Sequence, residues 1–83
     1  MNTTLYLVTT LIVQYDEPVI ATHSLYTNFA DAKLTMQKEI MENMKDFTAC
    51  NGDVILDLNN IYEWSDYNCL NSLTVIIERL TVN

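Results

Sequence analysis

One stretch of this chain, Phe29 to Phe47, carries apolar residues at helical spacing; the segments on either side alternate with a period of two. A chain patterned this way buries its apolar residues by laying a single helix against a β-sheet. Phe29, Ala32, Met36, Ile40, Met44 and Phe47 recur at spacings of three and four and form one stripe. Ala30, Leu34 and Met41 form a second stripe about 120° away, so one edge of the apolar arc is expected to extend beyond the sheet. Asn28 is placed to cap the helix N-terminus, and Asp31 follows near the positive end of the helix dipole. Beyond the helix, Gly52 in Asn51-Gly52 suits a left-handed turn or C-cap.

Before the helix, Thr4 to Tyr15 reads as a long strand. Leu5, Leu7, Thr9, Leu11 and Val13 fall on one side, and Tyr6, Val8, Thr10, Ile12 and Gln14 on the other. Asp16-Glu17-Pro18 supplies a turn, and Val19 to Tyr26 resumes the strand pattern, which predicts a hairpin. After the helix, Asp53 to Leu58 reads as a third strand with Val54, Leu56 and Leu58 inward. Ile61-Tyr62-Glu63-Trp64 either extends it past a bulge at Asn59-Asn60 or forms a separate short strand. Ser65-Asp66-Tyr67-Asn68 reads as a turn, and Leu73 to Val82 as the final strand. The expected fold is α+β: a single domain over residues 1–83, two-layer ββαββ, with one helix packed on one face of an antiparallel sheet. No helix remains for the other face. Tyr6, Val8, Ile12, Ile76 and Leu80 are expected to form an exposed apolar face, and a homodimer is expected through it or by edge pairing.

Charge narrows the partners. Eleven Asp and Glu stand against four Lys and Arg, a net charge of −7, on a chain that is 49% hydrophobic. That is the composition of a folded core under a negative surface, not of a disordered acidic tail. Direct binding to nucleic acid or anionic membrane needs basic residues and is not expected. A basic protein partner is. The apolar stretch Leu5 to Val13 is broken by Thr9 and Thr10 and has no basic residue before it, so it does not read as a signal peptide. No run approaches the roughly 18–20 apolar residues of a membrane span. A cytoplasmic protein, including one acting in a host cytoplasm, is the expectation. Cys50 and Cys69 make neither a redox CxxC pair nor a zinc set. Free thiols are expected in a reducing compartment; a disulfide would add roughly 3 kcal/mol elsewhere.

Catalytic templates find little to rest on. His23 is the sole histidine, and its neighbour Ser24 points to the opposite strand face. Gly52 is the sole glycine, so no glycine-rich phosphate loop exists. Asp53 and Asp57, four apart on a strand, are expected to share a face but lack the oxygen-rich loop of a calcium site. Glu78 beside Arg79 reads as a surface pair. No enzyme activity, metal or cofactor is predicted.

The carboxylates of the helix carry the functional reading. Asp31, Glu39, Glu42 and Asp46 occupy the face opposite the core, with Thr35 between them and Lys38 and Lys45 flanking as weak ion-pair partners. Asp53, Asp57, Glu63 and Asp66 form a second acidic group. Together these negative charges suit a basic groove that otherwise holds DNA or RNA; a merely solvated face is the plainer reading. Tyr62, Trp64 and Tyr67 cluster around Glu63 and Asp66, and such aromatics anchor interfaces well, although Trp64 also suits a core plug. The expected partner-binding set is therefore Asp31, Glu39, Glu42, Asp46, Tyr62, Glu63, Trp64, Asp66 and Tyr67.

In size, charge and lack of catalytic motifs the chain resembles the small acidic single-domain inhibitors carried by phages and mobile elements, including anti-CRISPR proteins. The resemblance lies in general character, and no residue pattern carries it. It implies a non-enzymatic inhibitor that blocks a basic nucleic-acid-binding surface of an effector such as a nuclease. The alternative is a self-associating accessory domain that uses its open apolar sheet face, with room for a small ligand.

Overall fold

A computed structural model of the chain describes residues 3–68 and 70–82. The element order is β1 (Thr3–Val13), β2 (Ile20–Tyr26), α1 (Phe29–Met44), a 3₁₀ turn (Lys45–Phe47), β3 (Gly52–Asp57), β4 (Ile61–Asp66) and β5 (Ser72–Val82). The fold is α+β, with a five-stranded antiparallel sheet in the order β2-β1-β5-β4-β3 and one helix. The expected ββαββ order is corrected to ββαβββ. Asn59-Asn60 is a hairpin turn rather than a bulge: the Leu58 N–H donates to the Ile61 carbonyl at 2.8 Å. Neither asparagine needs a positive φ in this turn. Ser65 and Asp66, expected in a turn, belong to β4.

The two longest strands, β1 and β5, pair in the middle of the sheet, from Thr3 opposite Val82 to Val13 opposite Ser72. Gln14 to Glu17 closes the first hairpin, with Glu17 N–H donating to the Gln14 carbonyl at 3.2 Å. Asp16 there has φ of 61°, a left-handed conformation that Asp enters more readily than most residues.

α1 begins as its sequence predicts. Asn28 is extended and accepts from the Asp31 N–H at 2.8 Å, while its own amide donates to the Asp31 carboxylate at 2.9 Å. This reciprocal pair satisfies an orphan helix donor. The helix packs chiefly on β5, β1 and β2. Ala32 and Met36 are buried, and Phe29, Ile40 and Met44 pack beside them. Under them lie Val8 and Thr10 of β1, Leu73, Val75 and Ile77 of β5, and Tyr62 and Trp64 of β4. The second stripe lies outside the contact, as the wide apolar arc implies: Ala30, Leu34 and Met41 are exposed.

The strand registers correct the expected open face. Val8 pairs with Ile77 and Ile12 with Leu73, so Tyr6, Val8 and Ile12 lie beneath the helix, and Tyr6 meets Phe29 edge-on at 5.7 Å. Ile76 and Leu80 pair with Thr9 and Leu5 on the opposite, helix-free face. That face is therefore lined by Leu5, Leu7, Leu11, Val13, Ile76 and Leu80, all half-buried, with Leu25 exposed.

β3 departs further from expectation. It is an edge strand beyond the helix, so Val54, Leu56 and Leu58 are exposed rather than inward. Gly52 has no positive φ and caps no helix. It is needed for close approach: a Cβ there would lie 2.4 Å from the Ser65 carbonyl oxygen and 2.6 Å from the Trp64 ring.

Candidate functional site

Asp31, Glu42 and Asp46 are exposed and Glu39 is half-buried. At 100° per residue Asp31, Glu42 and Glu39 span about 80° of the α1 circumference around Thr35, and Asp46 follows in the 3₁₀ turn beyond α1. Thr35 fixes where this flank points, because its hydroxyl donates to the Tyr26 phenol oxygen at 2.6 Å. Tyr26 ends β2, so the carboxylates lie along the side of the helix over the β2 edge of the sheet. Hydrogen bonds from Ser24 and Thr35 pull the Tyr26 phenol below its ordinary value, while the neighbouring Glu39 charge opposes that shift. Lys38 and Lys45 form no ion pair with the row among the described residues. Asp31 is tied to the Asn28 cap, and the Glu39 carboxylate accepts from the Asn43 amide at 3.0 Å.

The second acidic group does not assemble. The register shifts between Val54 and Leu56, so Asp53 opposes Ser65 on the helix-free face while Asp57 opposes Tyr62 on the helix side. A bulge adds one residue and flips the alternation, so positions four apart no longer share a face. Glu63 opposes Thr74 on the helix-free face. Asp66 is buried and accepts from the Leu70 N–H at 2.9 Å and the Asn71 amide at 2.7 Å, which ties down the turn into β5.

The aromatic cluster also divides. Trp64 is 4% exposed and stacks on Phe47, with ring centroids 5.0 Å apart. Tyr62 is buried beside it. Both lie on a strand with inward side chains, not on a loop, so neither presents an interface anchor. Tyr67 alone of the three is exposed; its hydroxyl donates to Asp53 at 3.2 Å, and that bond raises its pKa.

Burial, and secondly the Asp57 charge, hold the Tyr62 phenol above its ordinary value of 10.0. Folding therefore favours the neutral phenol. The stability this contributes is complete below about pH 10 and declines as the pH rises towards the folded-state value, because the unfolded chain releases the proton first. Tyr62→Phe is expected to flatten the loss of stability above about pH 10. Urea denaturation of both forms from neutral to alkaline pH checks this; parallel profiles would show that Tyr62 does not contribute.

A cleft of about 530 Å³ opens at one end of the sheet, lined by Tyr15, Cys50, Asn51, Asp66, Tyr67 and Asn71 among others. Asn71 at its wall is occupied within the fold: its side chain accepts from the Tyr15 N–H at 2.9 Å while donating to Asp66. Cys50 is half-buried there as a free thiol, and Cys69 lies outside the described residues. His23 is on β2 with its ring 3.1 Å from the Thr9 hydroxyl and does not line the cleft. Among the described residues no three His, Cys, Asp or Glu side chains group as metal ligands. No helix among them is long and apolar enough to cross a membrane.

Compared with family models, with curated proteins and with solved structures, the chain matches none.

Proposed function

We propose that this protein is a non-enzymatic binding module that presents the carboxylates of α1 to a basic surface of a partner protein. The supporting observation is the row Asp31, Glu39 and Glu42 along one flank of α1, continued by Asp46 in the 3₁₀ turn, with no ion pair among the described residues to cancel it. Such a row attracts a basic surface over long range and orients the encounter. A groove that otherwise holds nucleic acid is the surface it suits best. On this reading the protein acts as an inhibitor of a nucleic-acid-binding effector, of the kind phages and mobile elements carry. The test is affinity for a basic partner, recovered from lysate at low salt, measured for the parent chain and for a variant with the four acids changed to lysine. Loss of binding in the variant supports the reading; unchanged binding rejects it.

The helix-free sheet face favours a second reading, self-association. Leu5, Leu7, Leu11, Val13, Ile76 and Leu80 lie there with no element over them. Two such faces packed together would build a sandwich with the helices outside. Sedimentation at tens of micromolar, roughly where weak dimers of standard interface size form, is expected to show a dimer on this reading. A 9.6 kDa species alone would reject it.

A further inference from the structure

The sheet has two edges, β2 and β3, and their sequences treat them differently. β3 carries Asp53 and Asp57 and breaks register between Val54 and Leu56. Charges and bulges are means by which an edge strand resists further pairing. β2 has neither. Its sequence, IATHSLY, holds no Asp, Glu, Lys, Arg or Pro, and all seven of its residues pair in unbroken register with β1. Its outer backbone groups meet no strand among the described residues. A regular edge of this length without Asp, Glu, Lys or Arg is a template for one more strand.

The surroundings of that edge specify the strand. On the helix side, Thr35 is bonded to Tyr26, and the row Asp31, Glu39 and Glu42 lies around Thr35, continued by Asp46 in the 3₁₀ turn. Side chains of an added strand pointing that way would meet carboxylates. On the other side lie Ala21, His23 and Leu25, paired with Leu11, Thr9 and Leu7 of β1. Side chains pointing there would meet the aliphatic Leu7, Leu11, Ala21 and Leu25 on either side of the His23–Thr9 pair. Successive residues of a strand point to opposite faces. The fitting segment therefore alternates basic and aliphatic residues.

We infer that the β2 edge takes an extended segment of a partner protein as a sixth strand, one that alternates Lys or Arg with aliphatic side chains. This rests on the proposed basic partner and states how that partner is held. A second copy fits less well. β2 brings no Lys or Arg of its own, and pairing two β2 edges would bring two acidic helix flanks together on chains of net charge −7.

The test uses two soluble, end-blocked peptides of about nine residues, long enough to span β2. Both contain the same lysines and valines, alternating in one and clustered in the other. Binding is measured by fluorescence anisotropy and amide protection by hydrogen exchange. The alternating peptide is expected to bind at least about tenfold tighter, a difference readily resolved, and to protect amides of Ile20–Tyr26. Thr22→Lys, at an exposed position on this edge, is expected to remove that preference while leaving the fold's thermal transition in place. Equal, salt-sensitive binding of both peptides, lost in the four-lysine variant and without β2 protection, would overturn the strand inference and leave the acidic-flank reading standing. Binding of neither peptide at low salt would overturn both. Concentration-dependent β2 protection without peptide would assign the edge to a second copy and overturn the inference.

Discussion

Trp64→Ala is expected to be the most destabilising single substitution at a residue that sequence reasoning offers as a surface anchor. The side chain is 4% exposed and stacks on Phe47, which closes the core beyond the end of α1. Truncating a buried Trp removes its transfer free energy and leaves a cavity, together about 3–5 kcal/mol. Domains of this size are stable by only about 5–15 kcal/mol, so the variant stands near the edge of folding. At about 4–8 °C per kcal/mol, its melting temperature should fall by tens of degrees. Gly52 makes the site hard to repair, since the backbone of β3 lies directly against the ring. Tyr67→Ala is the control. It removes an exposed ring and one surface hydrogen bond, and a change within about 0.5 kcal/mol is expected. Thermal and urea denaturation of both variants decide the matter. A Trp64→Ala loss no larger than that of Tyr67→Ala would mean the ring does not hold the core.

Reversing the helix row should have the largest effect on binding. Each acid-to-lysine change adds two charges, so Asp31, Glu39, Glu42 and Asp46 together move the net charge from −7 to +1. Affinity for a basic partner is expected to fall by about a hundredfold or more at low salt, as attraction becomes repulsion. The difference should shrink as ionic strength rises, because exposed charges are screened beyond about 8 Å at physiological salt. Asp31 needs separate treatment. It shares the reciprocal cap with Asn28, and a lysine there would place a cation at the positive end of the helix. That alone costs about 0.3–1 kcal/mol of stability. The triple variant Glu39→Lys, Glu42→Lys, Asp46→Lys keeps the cap and isolates the charge effect. Circular dichroism should show it folded like the parent. Normal binding by the triple variant, or binding indifferent to salt, would rule out the acidic flank as the contact.

Much of the fold was legible in local pattern. The helix expected over Phe29 to Phe47, seen as α1 to Met44 and a 3₁₀ turn to Phe47, its Asn28 cap, the first hairpin and the final strand all follow from periodicities and turn residues, which act over a few positions. The two stripes of α1 were legible too, since a helix fixes which residues share a side. Strand parity likewise placed Leu5, Leu7, Leu11 and Val13 on one face of β1. It could not say which face the helix would cover, because alternation is symmetric until something packs on it.

Three features were decided by tertiary structure alone. The pairing of β1 with β5 joins the two ends of the chain, and no local signal marks which distant strand will be the neighbour. The bulge between Val54 and Leu56 separates Asp53 from Asp57, and a bulge depends on fit to the partner strand. The burial of Trp64 follows from β4 lying inside the sheet, next to β5 and under Phe47, instead of in a loop. The sequence by itself determined one helix, a sheet and a negative surface, because helix period, strand period and charge are properties of neighbours along the chain. Which acids stand together and which aromatics reach solvent depended on contacts between residues far apart in that chain, and only the packed sheet decided them.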